Sequence, residues 1–302
     1  LFTWTVSDNP NVTGDADNTS TAASFSATLL NTTNTAQSVV YTVTPQYTNN
    51  GVQCDGATFT ITVTVDPTPS VVDQTETICS NATFTVTPVN GSGNIVPSNT
   101  TYSWNAPSVT GITGTTAGTS ASNISGTLVN TTNAPIDVVY TVTPTSGTCN
   151  GQSFTVTVTV NPMPMIANAT TTTCSGSVVN YTPINGTDVV PSNTTYSWSF
   201  VDVTNLSGET IGSNQTTFSQ TLINTGILTE QVVYTITPTS GLCVGSSFTY
   251  TVNVDPVPSI SNTTAVICSG NAFTVSPVNG TDIVPSGTQY TWTASSNSNI
   301  TG

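Results

Sequence analysis

The six cysteines are the residues best able to do chemistry in this chain, and they are regularly spaced. Cys54, Cys149 and Cys243 form one series, and Cys79, Cys174 and Cys268 a second in step with it. Such thiols can oxidise to disulfides. A second group is acidic. Asp8, Asp15 and Asp17 lie among Asn9, Asn11 and Asn18, and clustered oxygen ligands of this kind can hold Ca²⁺. Their spacing matches no EF-hand loop, and the matching stretch 106–122 contains no Asp, so a solvated loop competes with the metal reading. The third group is Trp4, Trp104, Trp198 and Trp292, whose rings could stack on sugars. Their return at one position in a recurring phrase favours a packing centre instead. Asp66 and Asp255 precede prolines and read as turn caps. No two carboxylates recur at a spacing suited to glycoside hydrolysis. No catalytic residue, cofactor or metal is therefore expected, calcium at the Asp8, Asp15 and Asp17 cluster being the weak exception.

Composition narrows the chemistry further. The 302 residues include no Lys, Arg or His, and 14 Asp and Glu give a net charge of −14. Phosphate neutralisation needs cations, so nucleic-acid binding is excluded. Attraction to anionic membranes fails for the same reason. Histidine acid/base chemistry, Ser-His or Cys-His nucleophiles, lysine Schiff bases and P-loops are out of reach. No run of apolar residues is long enough to span a bilayer. Hydrophobic residues make up 35% of the chain, with Thr, Ser and Asn filling the remainder. Regular Thr/Val alternation argues for strands rather than disorder.

These side chains are set in a tandem array. The tryptophan phrases LFTWTV, TTYSWNA, TTYSWSF and TQYTWTA recur at intervals of 100, 94 and 94 residues. VVYTVTP, VVYTVTP and VVYTITP end at Pro45, Pro144 and Pro238. A fixed period of this length defines the folding unit. In the clearest copy, residues 153–160 alternate Phe or Val with Thr, so the apolar set faces one side. Residues 138–143 form a second strand, joined to the first by a run of turn formers. Strands over 71–78, 82–89, 101–106 and 121–129 complete the unit. Six or seven short strands in about 94 residues, with a central Trp strand, predict an immunoglobulin-like sandwich. Lettered A, B, C, E, F and G, the strands place Trp on C. Asp66-Pro67-Thr68-Pro69, Asn161-Pro162-Met163-Pro164 and Asp255-Pro256-Val257-Pro258 read as short, stiff linkers. The expected fold class is all-β, tandem sandwiches forming an extended rod. The expected domains are 1–67 (strands C to G), 68–162, 163–256 and 257–302 (strands A to C).

The phrases ETICSNATFTVTP, NTTYSWNA and VVYTVTPTSGTCNGQSFTVTVTVNPMP, with their copies, resemble the PKD-like and Ig-like repeats of giant cell-surface adhesins from Bacteroidota. The resemblance covers the whole chain. It implies an extracellular, stalk-forming role on the cell surface, with type IX secretion, gliding and surface attachment as the family's setting. The complete absence of basic residues goes beyond that pattern.

The sandwich bears on the cysteines. The A–B turn lies at the end of a module that faces the following one, and the F–G turn at the opposite end. A strand of about eight residues spans about 26 Å, and a disulfide needs Cα atoms about 4.4–6.8 Å apart. A bridge from the A–B turn of one module to the F–G turn of the next, Cys79 with Cys243, therefore fits better than one within a module, which would join Cys79 to Cys149 or Cys174 to Cys243. Free thiols are the third reading. Expected partners are adjacent repeats or other copies of the chain, head to tail or laterally through uncharged, Thr-rich sheet edges. Glycans are a further class, through sequons at Asn81, Asn99, Asn193 and Asn262 or as an adhesive ligand. The partial modules at 1–66 and 257–302 nearly add up to one whole. Either the stretch is a window on a longer array, or the tail of one chain completes the head of the next.

Overall fold

The computed structural model describes residues 1–300. Every regular element among them is a β-strand. The chain divides into two compact units, Leu1–Asn161 and Pro162–Gly302.

The first unit contains one complete sandwich. One sheet runs in the order Gly118–Ala121, Thr101–Trp104 (C), Ile136–Ser146 (F), Phe154–Asn161 (G) and Gln74–Cys79 (A). The facing sheet joins Ala82–Val86 (B) to Ile124–Asn130 (E). All pairings are antiparallel except A with G, which is parallel and sets Ile78 beside Val160 and Cys79 beside Asn161. Alternation dictates the core. Phe154 is 4% exposed and Val156, Val158 and Val160 are fully enclosed, while the Thr residues between them face outward. Each such side chain contributes about 1.5–3 kcal/mol relative to exposure. Tyr102, Trp104, Phe84, Tyr140, Ile124 and Leu128 fill the space between the sheets. The A strand is anchored at its start by Asp73, whose carboxylate accepts the Thr155 backbone N–H at 2.7 Å.

The second unit repeats this plan. Gly212–Gln215, Thr195–Ser199, Glu230–Ser240, Phe248–Asp255 and Ala169–Cys174 form the larger sheet, with Ala169–Cys174 again parallel to its G partner. Val178–Tyr181 and Phe218–Thr221 face it. Asn168 replaces Asp73 and accepts the Thr249 N–H at the same 2.7 Å.

The strand positions A to G thus fall where the sequence pattern put them. The strands Gly118–Ala121 and Gly212–Gln215 carry no apolar alternation and were not foreseen. They attach to the C strand through a bulge opposite its Tyr-x-Trp.

The first module, within the first unit, has C (Phe2–Val6), F (Gln37–Asn49) and G (Phe59–Val65) but neither A nor B. Residues 25–29, the counterpart of strand E, hold no strand. The strands A to C expected over 257–302 are not formed in the described part of that segment. Residues 257–300 contain only the isolated bridges Ser259 to Ile283 and Asn279 to Asp282. Trp292, expected in a core, is 86% exposed. The reason is pairing: in the complete modules A rests on G, B on E and C on F, and the residues given for this module contain no E, F or G.

Candidate functional site

The chemistry-bearing positions are the two cysteine turns of each module. The A–B turn is Cys79-Ser80-Asn81, with Asn81 in the left-handed region at φ 67°. The F–G turn places Cys149 opposite Ser146, with Gly147 at φ 56°. Cys79 stands beside the last residue of G, whereas Cys149 precedes the first. Cys174 and Cys243 are arranged in the same way around Phe248–Asp255. An eight-residue strand of about 26 Å separates the two turns, so a bridge within one module is ruled out. Cys79 and Cys243 are disulfide-bonded, and Cys54, Cys149, Cys174 and Cys268 are free thiols. Cys243 is 2% exposed, whereas its free counterpart Cys54 is fully open.

The F–G turn is packed on the proline linker that precedes its module. The Gly151 N–H donates to the Pro144 carbonyl at 2.9 Å, and a Cβ added to Gly151 would lie 2.0 Å from the Pro69 carbonyl oxygen. Gly245 repeats both features, with 2.9 Å to Pro238 and 2.2 Å to Pro164. Only glycine fits such an approach, because a backbone oxygen cannot yield as a side chain can. Pro67, Pro69, Pro162 and Pro164 are buried, so these linkers are packed parts of the fold.

The profile of the PKD-like domain matches residues 1–69, 76–164 and 171–258. The chain belongs to the PKD-like domain family. Solved structures similar to it include the I-band fragment I67–I69 from titin, 11% identical, covering 85% of this chain and 88% of that one at a TM-score of 0.34. The N-terminal four Ig domains of Dscam1 isoform 1.9 are 11% identical over 72% of this chain and 54% of theirs, at 0.30. Drosophila N-cadherin EC1-3 is 13% identical over 85% and 89%, at 0.24. None of the curated proteins matches. Tandem PKD-like repeats are a class of extracellular structural and adhesion domains, ordinarily non-catalytic, and a disulfide is typical of that setting. No helix among the described residues is long and apolar enough to cross a membrane.

The PKD-like repeats use their tryptophans structurally. Trp4, Trp104 and Trp198 are 9%, 8% and 7% exposed, and each indole N–H donates to a carbonyl twelve residues on, at Ala16, Thr116 and Thr210. The acidic cluster is held by its own backbone. Asp17 accepts the Val6 N–H at 2.7 Å and Asp15 accepts that of Asn9 at 3.4 Å. Among the described residues no three His, Cys, Asp or Glu are grouped to hold a metal. An open groove of about 590 Å³ beside Trp104, Pro107, Val139 and Thr141 contains no ionisable side chain. Asn99 and Asn193 sit at turn tips in the left-handed region, at φ 61° and 60°.

Sequence reading missed one polar device of the PKD-like repeats. Asn31, Asn130 and Asn224 are buried at 4%, 5% and 3%. The Asn130 amide donates to the carbonyls of Ala134 and Val160 at 2.7 and 2.8 Å and accepts the Thr132 N–H at 2.9 Å, tying the E–F corner to the end of G. Ser80 of the A–B turn accepts the Asn130 backbone N–H at 3.0 Å. The recurring phrases LLNTTN, LVNTTN and LINTGI carried the signal, but in a chain so rich in Asn and Thr it did not stand out.

Proposed function

We propose that these PKD-like repeats are a structural region of an extracellular fibre, filament or adhesin stalk on a bacterial surface, of the kind that Bacteroidota export by type IX secretion. The observation that carries this reading is the cysteine-bearing, proline-packed junction, which recurs with the module while nothing that could catalyse recurs with it. The function is mechanical. Buried X-Pro-X-Pro linkers and glycine-backed F–G turns resist bending where one repeat passes into the next. Cys79 and Cys243, the A–B turn of one repeat and the F–G turn of the next, pair with each other as a covalent staple. The neighbours are further repeats, and glycans decorate the turn-tip sequons.

Two measurements test this. Peptide mapping without reductant should recover Cys79 and Cys243 in one linked species. Trypsin finds no basic residue here, so pepsin is the suitable protease. Stretching single molecules in reductant should give a sawtooth whose contour increments approach 94 residues at about 3.5 Å each. A chain that extends without discrete force peaks would refute the mechanical role.

A further inference from the structure

The first PKD-like repeat is open where strands A and B lie in the two complete ones. Phe59 is 45% exposed, against 4% and 3% for its counterparts Phe154 and Phe248. The strand Phe59–Val65 pairs with Gln37–Asn49 on one side, and its other edge carries no ladder. The loss of regular structure is confined to the patch that A and B would cover, namely this edge and residues 25–29. The C–F–G ladder beside it is intact.

Residues 263–276 carry the missing sequence. AVICSGNAFTV aligns with ETICSNATFTV, so Ile267, Cys268, Phe273 and Val275 correspond to Ile78, Cys79, Phe84 and Val86. The segment is strandless, with Val266 99%, Phe273 65% and Val275 48% exposed. We propose that residues 263–276 of a second copy of this chain fill the open edge of the first repeat. Strand A adds in parallel to Phe59–Val65, and strand B adds antiparallel to residues 25–29.

The register follows from the complete repeats. Ile78 beside Val160 places Ile267 beside Val65, and Thr75 beside Thr157 places Thr264 beside Thr62. Val86 opposite Ile124 places Val275 opposite Phe25, and Ala82 opposite Leu128 places Asn271 opposite Leu29. Phe273 then faces Tyr41, as Phe84 faces Tyr140 with ring centroids 5.4 Å apart. Charge favours the exchange. In a chain of net charge −14, neither the donor stretch 256–281 nor the acceptor stretches 18–31 and 56–65 contain an Asp or Glu. Docking therefore buries no charge and opposes no like charges. Backbone hydrogen bonds at the edge supply affinity, and the alternate side chains supply register. Two complete repeats separate donor from acceptor within one chain, which favours a partner copy.

Sedimentation velocity of the 302-residue chain in reductant tests this. Association should rise with concentration, and hydrogen exchange should slow together in 25–29, 263–268 and 271–275. The double substitution Phe273→Asp with Val275→Asp changes only exposed side chains, so the complete repeats stay folded. It should raise the concentration for half-association by at least about tenfold. An excess of a peptide spanning 259–281 should cap acceptors and return the chain to monomer. A monomer at every concentration, or association indifferent to both the substitutions and the peptide, would overturn the proposal. So would a monomer with 263–276 protected, which means closure within one chain. None of these outcomes alters the sawtooth that tests the stalk role.

Discussion

Asn130 uses its whole amide on backbone groups, and Tyr234 leaves its hydroxyl with none. Replacing Asn130 by Ala strands the carbonyls of Ala134 and Val160 and the Thr132 N–H. Unsatisfied buried groups cost about 1–3 kcal/mol each. Urea unfolding of Asn130→Ala should therefore show a loss of about 2–4 kcal/mol. Tyr234 is fully buried and its hydroxyl lacks a hydrogen-bond partner. Burial first, and the Glu209 carboxylate second, push its phenol well above the ordinary tyrosine range. Removing a buried hydroxyl that bonds to nothing relieves a desolvation cost. Tyr234→Phe should thus leave the melting temperature unchanged or raise it, by up to about 1 kcal/mol. Trp104 was legible as a core residue because a repeated aromatic on an alternating strand has one probable fate. The amide of Asn130 was not, because its three partners come from the E–F corner and the end of G, which only folding brings together.

At the scale of elements, alternation tells which face of a strand is apolar but not whether the strand exists. Residues 153–160 and 263–276 both carry strand-like patterns. The first lies between F and A, and the second lies beside nothing. The same logic explains why residues 25–29 stay irregular while Ile124–Asn130 is a strand. The A–G pairing is parallel in both complete repeats, a choice that period-2 patterning cannot encode. At the F–G turn, Gly151→Ala drives a methyl group into the Pro69 carbonyl. Overpacking against backbone costs about 1–3 kcal/mol. Thermal denaturation should register this loss. Alanine at Gly147, which meets nothing within 4 Å, should show only the strain of its φ of 56°.

Over the whole molecule the absence of basic side chains sets an asymmetric response to pH. With no Lys, Arg or His, acidification removes self-repulsion without building a positive charge. The acid-sensitive element is Asp73. The Thr155 backbone N–H, then the Thr155 side chain, hold its carboxyl below the ordinary range. A lowered pKa gives stability that is present above the ordinary carboxylate value and lost as pH falls through the folded one. In alkali the reverse sign applies. Burial raises the phenols of Tyr41, Tyr102, Tyr140, Tyr181, Tyr196, Tyr234 and Tyr250. Their contribution is complete below the ordinary tyrosine value of about 10 and is lost as pH rises through the folded values. Melting temperature should therefore change little between neutral pH and about pH 3 but fall steeply above about pH 10. An acid-labile, alkali-stable profile would contradict this account. Solubility should be lowest near the pI of about 4.1.

The amino-acid sequence determined the period, the sandwich class, the positions of strands A to G in the complete repeats and the exclusion of cation-dependent functions. Each is a sum over local pattern or composition, and no distant contact is needed to read it. The tertiary structure decided that A lies parallel to G, that Cys79 and Cys243 are bonded while four equivalent thiols are free, and that residues 257–300 remain unpaired. Ladders and disulfides exist only where a second group reaches bonding distance, and that depends on which neighbours the chain supplies.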